Sequence, residues 1–281
     1  MLQLALSQGA FGHQVLQDIG FICLISIVLA GLLHAWLRKT TPSLQWNQSG
    51  KVDTSRIAPA DIIGCIFVTL PFTHTLFLSY AGPGRSLTPI ELAISFGMLL
   101  MMSGIVLFMY KQRDMLPEAL GLSPKHPAYV FAWGVAVYVG FILLSIVLQH
   151  AGLEAWLESR LGEPEHQQIV QEMINAVEVE RKLILILGTC IIAPLAEEII
   201  FRGYLYPVLK RYTEPVFAAI VTGIIFGAIH GNIWAVIPLS LFGILLAALY
   251  EWSGSIWSCI LCHALFNSIN VAFMLSMGDQ L

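Results

Sequence analysis

The chain is short of charge. Of its 281 residues only 11% are Asp, Glu, Lys or Arg, against roughly 25% in a soluble domain. So few charges cannot cover a water-facing surface. The net charge of −4 gives no sign of the basic balance that nucleic-acid binding draws on, so no nucleic-acid partner is expected. The first 18 residues contain no Lys or Arg, so the basic leading region of a cleavable signal peptide is missing. Five cysteines are scattered, and Cys23, Cys65, Cys259 and Cys262 lie inside apolar runs, which is no disulfide framework. Repeats and low-complexity tracts are absent. The H-E-x-x-H pattern of zinc proteases does not occur.

What is present is apolar length. Hydrophobic residues make up 57% of the chain, and the mean hydropathy is +0.77. A helix needs about 20 apolar residues to cross the hydrocarbon core. The runs predict about eight spans, at 19–37, 60–80, 90–110, 128–149, 183–209, 215–231, 233–250 and 255–277. The expected fold is all-α, a polytopic transmembrane bundle, integral to the plasma membrane of a prokaryote with the lipid bilayer as its partner. Spans six and seven are short and nearly continuous. They read either as a broken pair or as one span plus a re-entrant piece. The expected division is an N-terminal transmembrane region at 1–182, of about four spans, and a catalytic region at 183–277.

Lys and Arg set the orientation. Arg38, Lys39, Lys51 and Arg56 follow span one, and Lys111, Arg113 and Lys125 follow span three. Arg202, Lys210 and Arg211 lie near the end of span five. These ten fall on one side, which should be cytoplasmic, against Arg85, Arg160, Arg181 and Lys182 on the other. The segment 150–182 is the one sizeable extramembrane piece. It carries seven acidic residues, and Leu153, Trp156, Leu157 and Leu161 at helical spacing read as an interfacial amphipathic helix.

Polar residues inside apolar runs carry the functional signal, because an ionisable group in a membrane is costly. Three clusters stand out. The first is Ala196-Glu197-Glu198-Ile199-Ile200-Phe201-Arg202. Glu198 and Arg202 are four apart and can pair. Glu197 points about 100° away, given 3.6 residues per turn, and lacks such a partner. A carboxylate held out of water is a stronger base than one in it, which suits general-base chemistry. A structural ion-pair knot is the bland reading. The second is Phe226-Gly227-Ala228-Ile229-His230, which alone is no more than a hydrogen-bonded histidine. The third is His263-Ala264-Leu265-Phe266-Asn267, two polar side chains on one helix face, equally suited to helix–helix hydrogen bonding. Counted from the basic interface at 1.5 Å per residue, Glu197, His230, His263 and Asn267 lie roughly 20, 22, 14 and 20 Å deep. All three clusters can therefore meet at one level inside the bilayer. Cys259-x-x-Cys262-His263 also spells a c-type haem attachment site. It lies in an apolar helix between Trp257 and Phe266, and that reading is set aside.

Glu197-Glu198-x-x-x-Arg202, Phe226-x-x-x-His230 and His263-x-x-x-Asn267, in that order, resemble the CPBP family. These are the CAAX-protease and bacteriocin-processing (Abi) intramembrane endopeptidases, which include the type II CAAX prenyl endopeptidase. The likeness covers about 183–275. It implies peptide hydrolysis within the membrane, on a peptide or protein substrate. It also implies roles: Glu197 and His230 would activate water, while His263 and Asn267 would hold the oxyanion. The residues fit that chemistry without a Ser or Cys nucleophile. The alternative is a divalent metal such as zinc on Glu197, His230 and His263, with water as fourth ligand, so the cofactor is either such a metal or none. A proton-coupled transporter and a non-catalytic immunity or scaffold protein are the other classes. No inverted repeat supports the transporter, and every motif position carries the residue that catalysis needs.

The charge asymmetry is directly testable. A topology reporter fused after Lys51 or Lys125 is expected to read cytoplasmic, and one fused near Glu165 external. The reverse pattern would overturn the orientation.

Overall fold

The computed structural model describes residues 40, 50–81, 88–161, 168–176 and 178–277. The expected first span at 19–37, the acidic stretch around Glu165 and the C-terminal four residues lie outside them. Among the described residues the chain is helical throughout. The helices are α1 (Ala60–Ala81), α2 (Pro89–Gln112), α3 (Leu116–Leu120), α4 (Pro127–His150), α5 (Leu153–Leu161) and α6 (Gln168–Asn175). They continue with α7 (Val179–Tyr212), α8 (Pro215–Ala228), α9 (Ile233–Ser253) and α10 (Ile256–Met277). Five of these, α2, α4, α7, α9 and α10, are long and apolar enough to cross a membrane.

The packing is inverted relative to a soluble protein. Ile90, Ile94 and Phe108 on α2, and Phe131, Leu143 and Val147 on α4, are exposed, while Glu198, Arg202 and His263 are buried. Lipid solvates the apolar side chains, and the polar ones turn inward to partners. Tyr129 meets Trp133 edge-on and Trp133 packs tilted on Trp252 at one end of the bundle, as aromatic residues do at a membrane interface. The same end holds a polar clamp. Lys210 reaches the Val52 carbonyl at 2.8 Å and Glu251 at 2.6 Å, and Tyr206 donates to the same Glu251 oxygen at 2.8 Å. The 50–52 strand of chain is thereby tied to the ends of α7 and α9.

Several boundaries differ from the sequence expectation. The fifth span starts at Val179 rather than 183, because Arg181 and Lys182 extend the helix beyond its apolar run. Arg181 there pairs with Glu172 of α6. The division drawn at 182/183 consequently falls within α7, and α4 packs against both α9 and α10. The amphipathic helix is short, α5, with Leu157 buried but Trp156 exposed. Arg202 is not part of the interfacial charge: it is only 1% exposed inside the bundle.

Spans six and seven are two helices packed on each other, α8 and α9, joined by a turn through Gly231 at φ 64. Their contact rests on glycine. A Cβ on Gly223 would meet Ile244 at 2.6 Å and the Ser240 carbonyl oxygen at 2.9 Å. A Gly223→Leu change is therefore expected to wedge α8 from α9, at a cost of about 1–3 kcal/mol or more, read as a lower thermal midpoint of the purified protein in detergent. Gly97→Ala, where nothing lies within 4 Å, is expected to leave the midpoint unchanged or raised. Equal behaviour of the two variants would sink this account of the α8–α9 contact.

Candidate active site

Two prolines shape the helix that carries the carboxylates. A proline within a helix has no N–H for the carbonyl four residues back. Pro194 and Pro207 each follow a stretch of wider, π-type turn, Gly188–Ile192 and Phe201–Leu205. In the first, the Ala193 N–H bonds the Gly188 carbonyl, five residues back. The Thr189 carbonyl so loses its regular donor, and Pro194 cannot replace it. Asn267 of α10 donates its side-chain amide to this carbonyl at 2.8 Å. In the second, Tyr206 bonds Phe201, and the Gly203 carbonyl that Pro207 cannot serve receives the Tyr110 hydroxyl of α2 at 2.7 Å. The regular stretch between them, Ala193–Ile200, holds Glu197 and Glu198.

The two glutamates have different surroundings. Glu198 is fully buried and accepts from Arg202 Nη1 at 2.9 Å. Arg202 Nη2 donates to the Gly243 carbonyl of α9 at 2.9 Å, and its guanidinium lies 4.6 Å from the centre of the Phe226 ring. The Glu198 oxygen that takes Arg202 also lies 2.7 Å from Nδ1 of His263. An Arg–Glu–His chain thus links α7, α9 and α10. Glu197 is outside it. Its Oε2 is buried with no hydrogen-bond partner, and lies 4.0 Å from Nε2 of His263. That gap is too long for a hydrogen bond and of a size that one water molecule can bridge.

His230 ends α8. Its Nδ1 lies 2.7 Å from the Phe226 carbonyl, which leaves Nε2 as the free nitrogen. The Phe226 ring touches both histidines, with centroid separations of 5.0 Å to His230 and 5.6 Å to His263. His230 is also within electrostatic range of Glu197, His263 and Arg202. Arg202, His230 and His263 therefore all meet one ring, with Glu198 on Arg202 and His263, and Glu197 beside His263. Asn267 lies one turn along α10, facing the Thr189 carbonyl rather than the carboxylates. A cleft of about 460 Å³ between α4, α9 and α10 runs up to Phe266, which packs on Phe242 at 4.6 Å. Phe242 in turn touches His263 at 5.7 Å.

The donor set can be weighed against a metal. Glu197, His230 and His263 offer one carboxylate and two Nε2 atoms of a kind that zinc accepts, and Glu198 behind His263 is the carboxylate partner that metal-bound histidines favour. Their spacing does not match: among the described residues no three His, Cys, Asp or Glu side chains come together as a ligand set. Cys259 and Cys262 are fully buried, and Cys259 faces the Leu246 carbonyl.

Three contributors escaped the sequence reading: Thr189, Tyr110 and the Gly243 carbonyl. Pro194 and Pro207, inside a span, were the available signal for the first two, since each leaves a carbonyl that another helix must satisfy. Nothing in the sequence marks Gly243.

Residues 179–269 match the family model described as "Type II CAAX prenyl endopeptidase Rce1-like". A Bacillus subtilis (strain 168) protein named "Putative membrane peptidase YdiL" is 28% identical over 159 residues, 56% of this chain and 59% of that protein. An uncharacterised protein of Mycoplasma capricolum is 26% identical over 149 residues, 50% of this chain and 42% of its own length. The chain thus spans about half the length of the curated relatives it matches. No solved structure matches it. With three motifs in order, and a family match that runs over the very helices that gather them, the helical unit at 179–269 is similar to that of the type II CAAX prenyl endopeptidase Rce1-like proteins.

Proposed function

We propose that the protein is an intramembrane endopeptidase that hydrolyses peptide bonds of membrane-associated substrates with water activated by Glu197. The observation that carries this reading is the contrast between the glutamates. One Glu198 oxygen is held by both Arg202 and His263, with only the other unpaired, whereas Glu197 has no such anchor and presents an unpaired oxygen to a 4.0 Å gap beside His263.

In the proposed reaction, a water in that gap gives a proton to Glu197, and its oxygen attacks the carbonyl carbon of the peptide. The oxyanion of the tetrahedral intermediate accepts from the protonated Nε2 of His263, whose ring Glu198 orients through Nδ1, and from the second amide hydrogen of Asn267. His230, with Nε2 free, orients the water and relays the proton to the leaving nitrogen. The C–N bond then breaks to give a carboxylate and an amine. The substrate approaches from the bilayer by the cleft that ends at Phe266. The families behind the match suggest prenylated CAAX C-termini or leader-type peptides as substrates. Comparing peptide termini in membranes with and without the active protein distinguishes the two.

Glu197→Gln keeps the shape and removes the base. It is expected to cut the cleavage rate of a vesicle-tethered peptide at least about 10²-fold while the thermal midpoint holds, since a neutral amide costs less to bury than a charge. Arg202→Ala is expected to lose stability as well, by about 3–5 kcal/mol, because Glu198 is left as an unpaired buried charge. A well-folded Glu197→Gln protein cleaving at the wild-type rate would falsify the base assignment. If wild type cleaves nothing and Glu197→Gln blocks proton-coupled uptake into vesicles, the transporter reading replaces this one.

The reaction as drawn runs on side chains alone. Purified protein stripped by chelator is expected to keep its cleavage rate. Loss of activity on stripping, restored by one equivalent of a divalent cation per chain, would instead establish a metal held by Glu197, His230 and His263.

A further inference from the structure

Many hydroxyl side chains on these helices follow one habit. Thr69 donates to the Cys65 carbonyl at 2.8 Å, Ser95 to Glu91 at 2.9 Å, Ser145 to Phe141 at 2.9 Å, Thr213 to Leu209 at 2.6 Å and Thr222 to Ala218 at 2.7 Å. Each satisfies itself on the preceding turn of its own helix, as buried hydroxyls commonly do. Among the described residues two buried hydroxyls do not, Ser240 at the glycine contact of α8 with α9, and Thr189 on α7. The Thr189 Oγ1 is buried without a hydrogen-bond partner. Leaving a buried hydroxyl unpaired is costly enough to need a cause.

The place of Thr189 suggests one. It lies in the first π-type segment, and such segments occur often at functional sites. In an unbroken α-helix, positions eight apart are turned by about 80° from each other. The wider turn at Gly188–Ile192 holds an extra residue and brings position 189 back toward the face of Glu197. Helix α10 runs along this stretch: Asn267 touches Thr189 at its carbonyl, and His263 lies beside Glu197 and Glu198. The unpaired oxygens of Thr189, Glu197 and Glu198 are therefore all carried on the stretch of α7 that packs against α10.

We propose that Thr189 is a substrate-binding residue whose hydroxyl hydrogen-bonds a backbone amide group of the bound peptide, next to the bond that is cut. A hydroxyl can donate to a peptide carbonyl or accept from a peptide N–H, and the cost of its vacancy is relieved only when substrate is present. The Thr189 carbonyl, held by Asn267, fixes the segment in position for this contact. This inference rests on the endopeptidase reading.

The test uses the full-length protein in vesicles with a quenched fluorescent peptide tethered to the membrane, comparing wild type, Thr189→Val, Thr189→Ser and Glu197→Gln. Thr189→Val removes the hydroxyl at nearly constant shape. It is expected to lower kcat/KM roughly tenfold, the worth of one hydrogen bond, chiefly through KM. Its thermal midpoint is expected to match or exceed wild type, since an unpaired polar atom is lost. Thr189→Ser is expected to restore wild-type KM. Wild-type kinetics in Thr189→Val, a lowered midpoint in that variant, or no rescue by Thr189→Ser would each overturn the proposal. In those cases a silent Glu197→Gln leaves the endopeptidase reading standing, whereas an active one removes that reading too. A wild type inert toward every peptide removes both.

Discussion

The Glu198–Arg202 ion pair is the constraint around which the interior is arranged. Two charges taken out of water cost several kcal/mol each, and geometry must return that cost. Here it does so through three contacts of the guanidinium. One nitrogen meets Glu198, another the Gly243 carbonyl, and the flat face lies against Phe226. Gly243 has to be glycine for its helix to come this close, since a Cβ there would lie 2.8 Å from the Gly223 Cα and 3.3 Å from the guanidinium. Arg202 holds α7 to α9 through the Gly243 carbonyl, and its partner Glu198 fixes the histidine on α10. Structure and chemistry therefore share one set of contacts, and a lesion in the pair affects both.

The prolines of α7 play a complementary part. Each frees a backbone carbonyl, and in a membrane a freed carbonyl cannot be left to solvent. The polar groups that answer come from different helices, Tyr110 from α2 and Asn267 from α10. The irregularities of one helix so become its attachments to two others. The glutamates sit on the regular turns between these attachments, where their directions are fixed from both sides.

Much of this was legible in the sequence, for a physical reason. Apolar runs of about 20 residues have few other uses, so α1, α2, α4, α9 and α10 could be placed within a few residues. The motif residues stood out because Glu197, Glu198, Arg202, His230 and His263 are expensive in an apolar setting, and depth counting brought them to one level. Helix ends were less legible: hydropathy sees the apolar run of α7 but not the turn carrying Arg181 and Lys182 beyond it. Backbone partners were invisible. The bonds from Arg202 to Gly243 and from Asn267 to Thr189 depend on which carbonyl faces which helix, and a pattern of side chains does not contain that. Asn267 shows the difference, since its spacing from His263 was read correctly while its bond to a backbone oxygen was not foreseen.

The shortness of α8 has a consequence for water. Its 14 residues rise only about 21 Å, against a hydrocarbon core of about 30 Å. The turn that carries His230 and Gly231 is consequently suspended some way below the far surface, with Asn232 capping the start of α9. The hydrolysis proposed for Glu197 needs water as its second substrate, and a helix too short to reach the far surface leaves its end, with His230, inside the apolar layer where that water must be delivered.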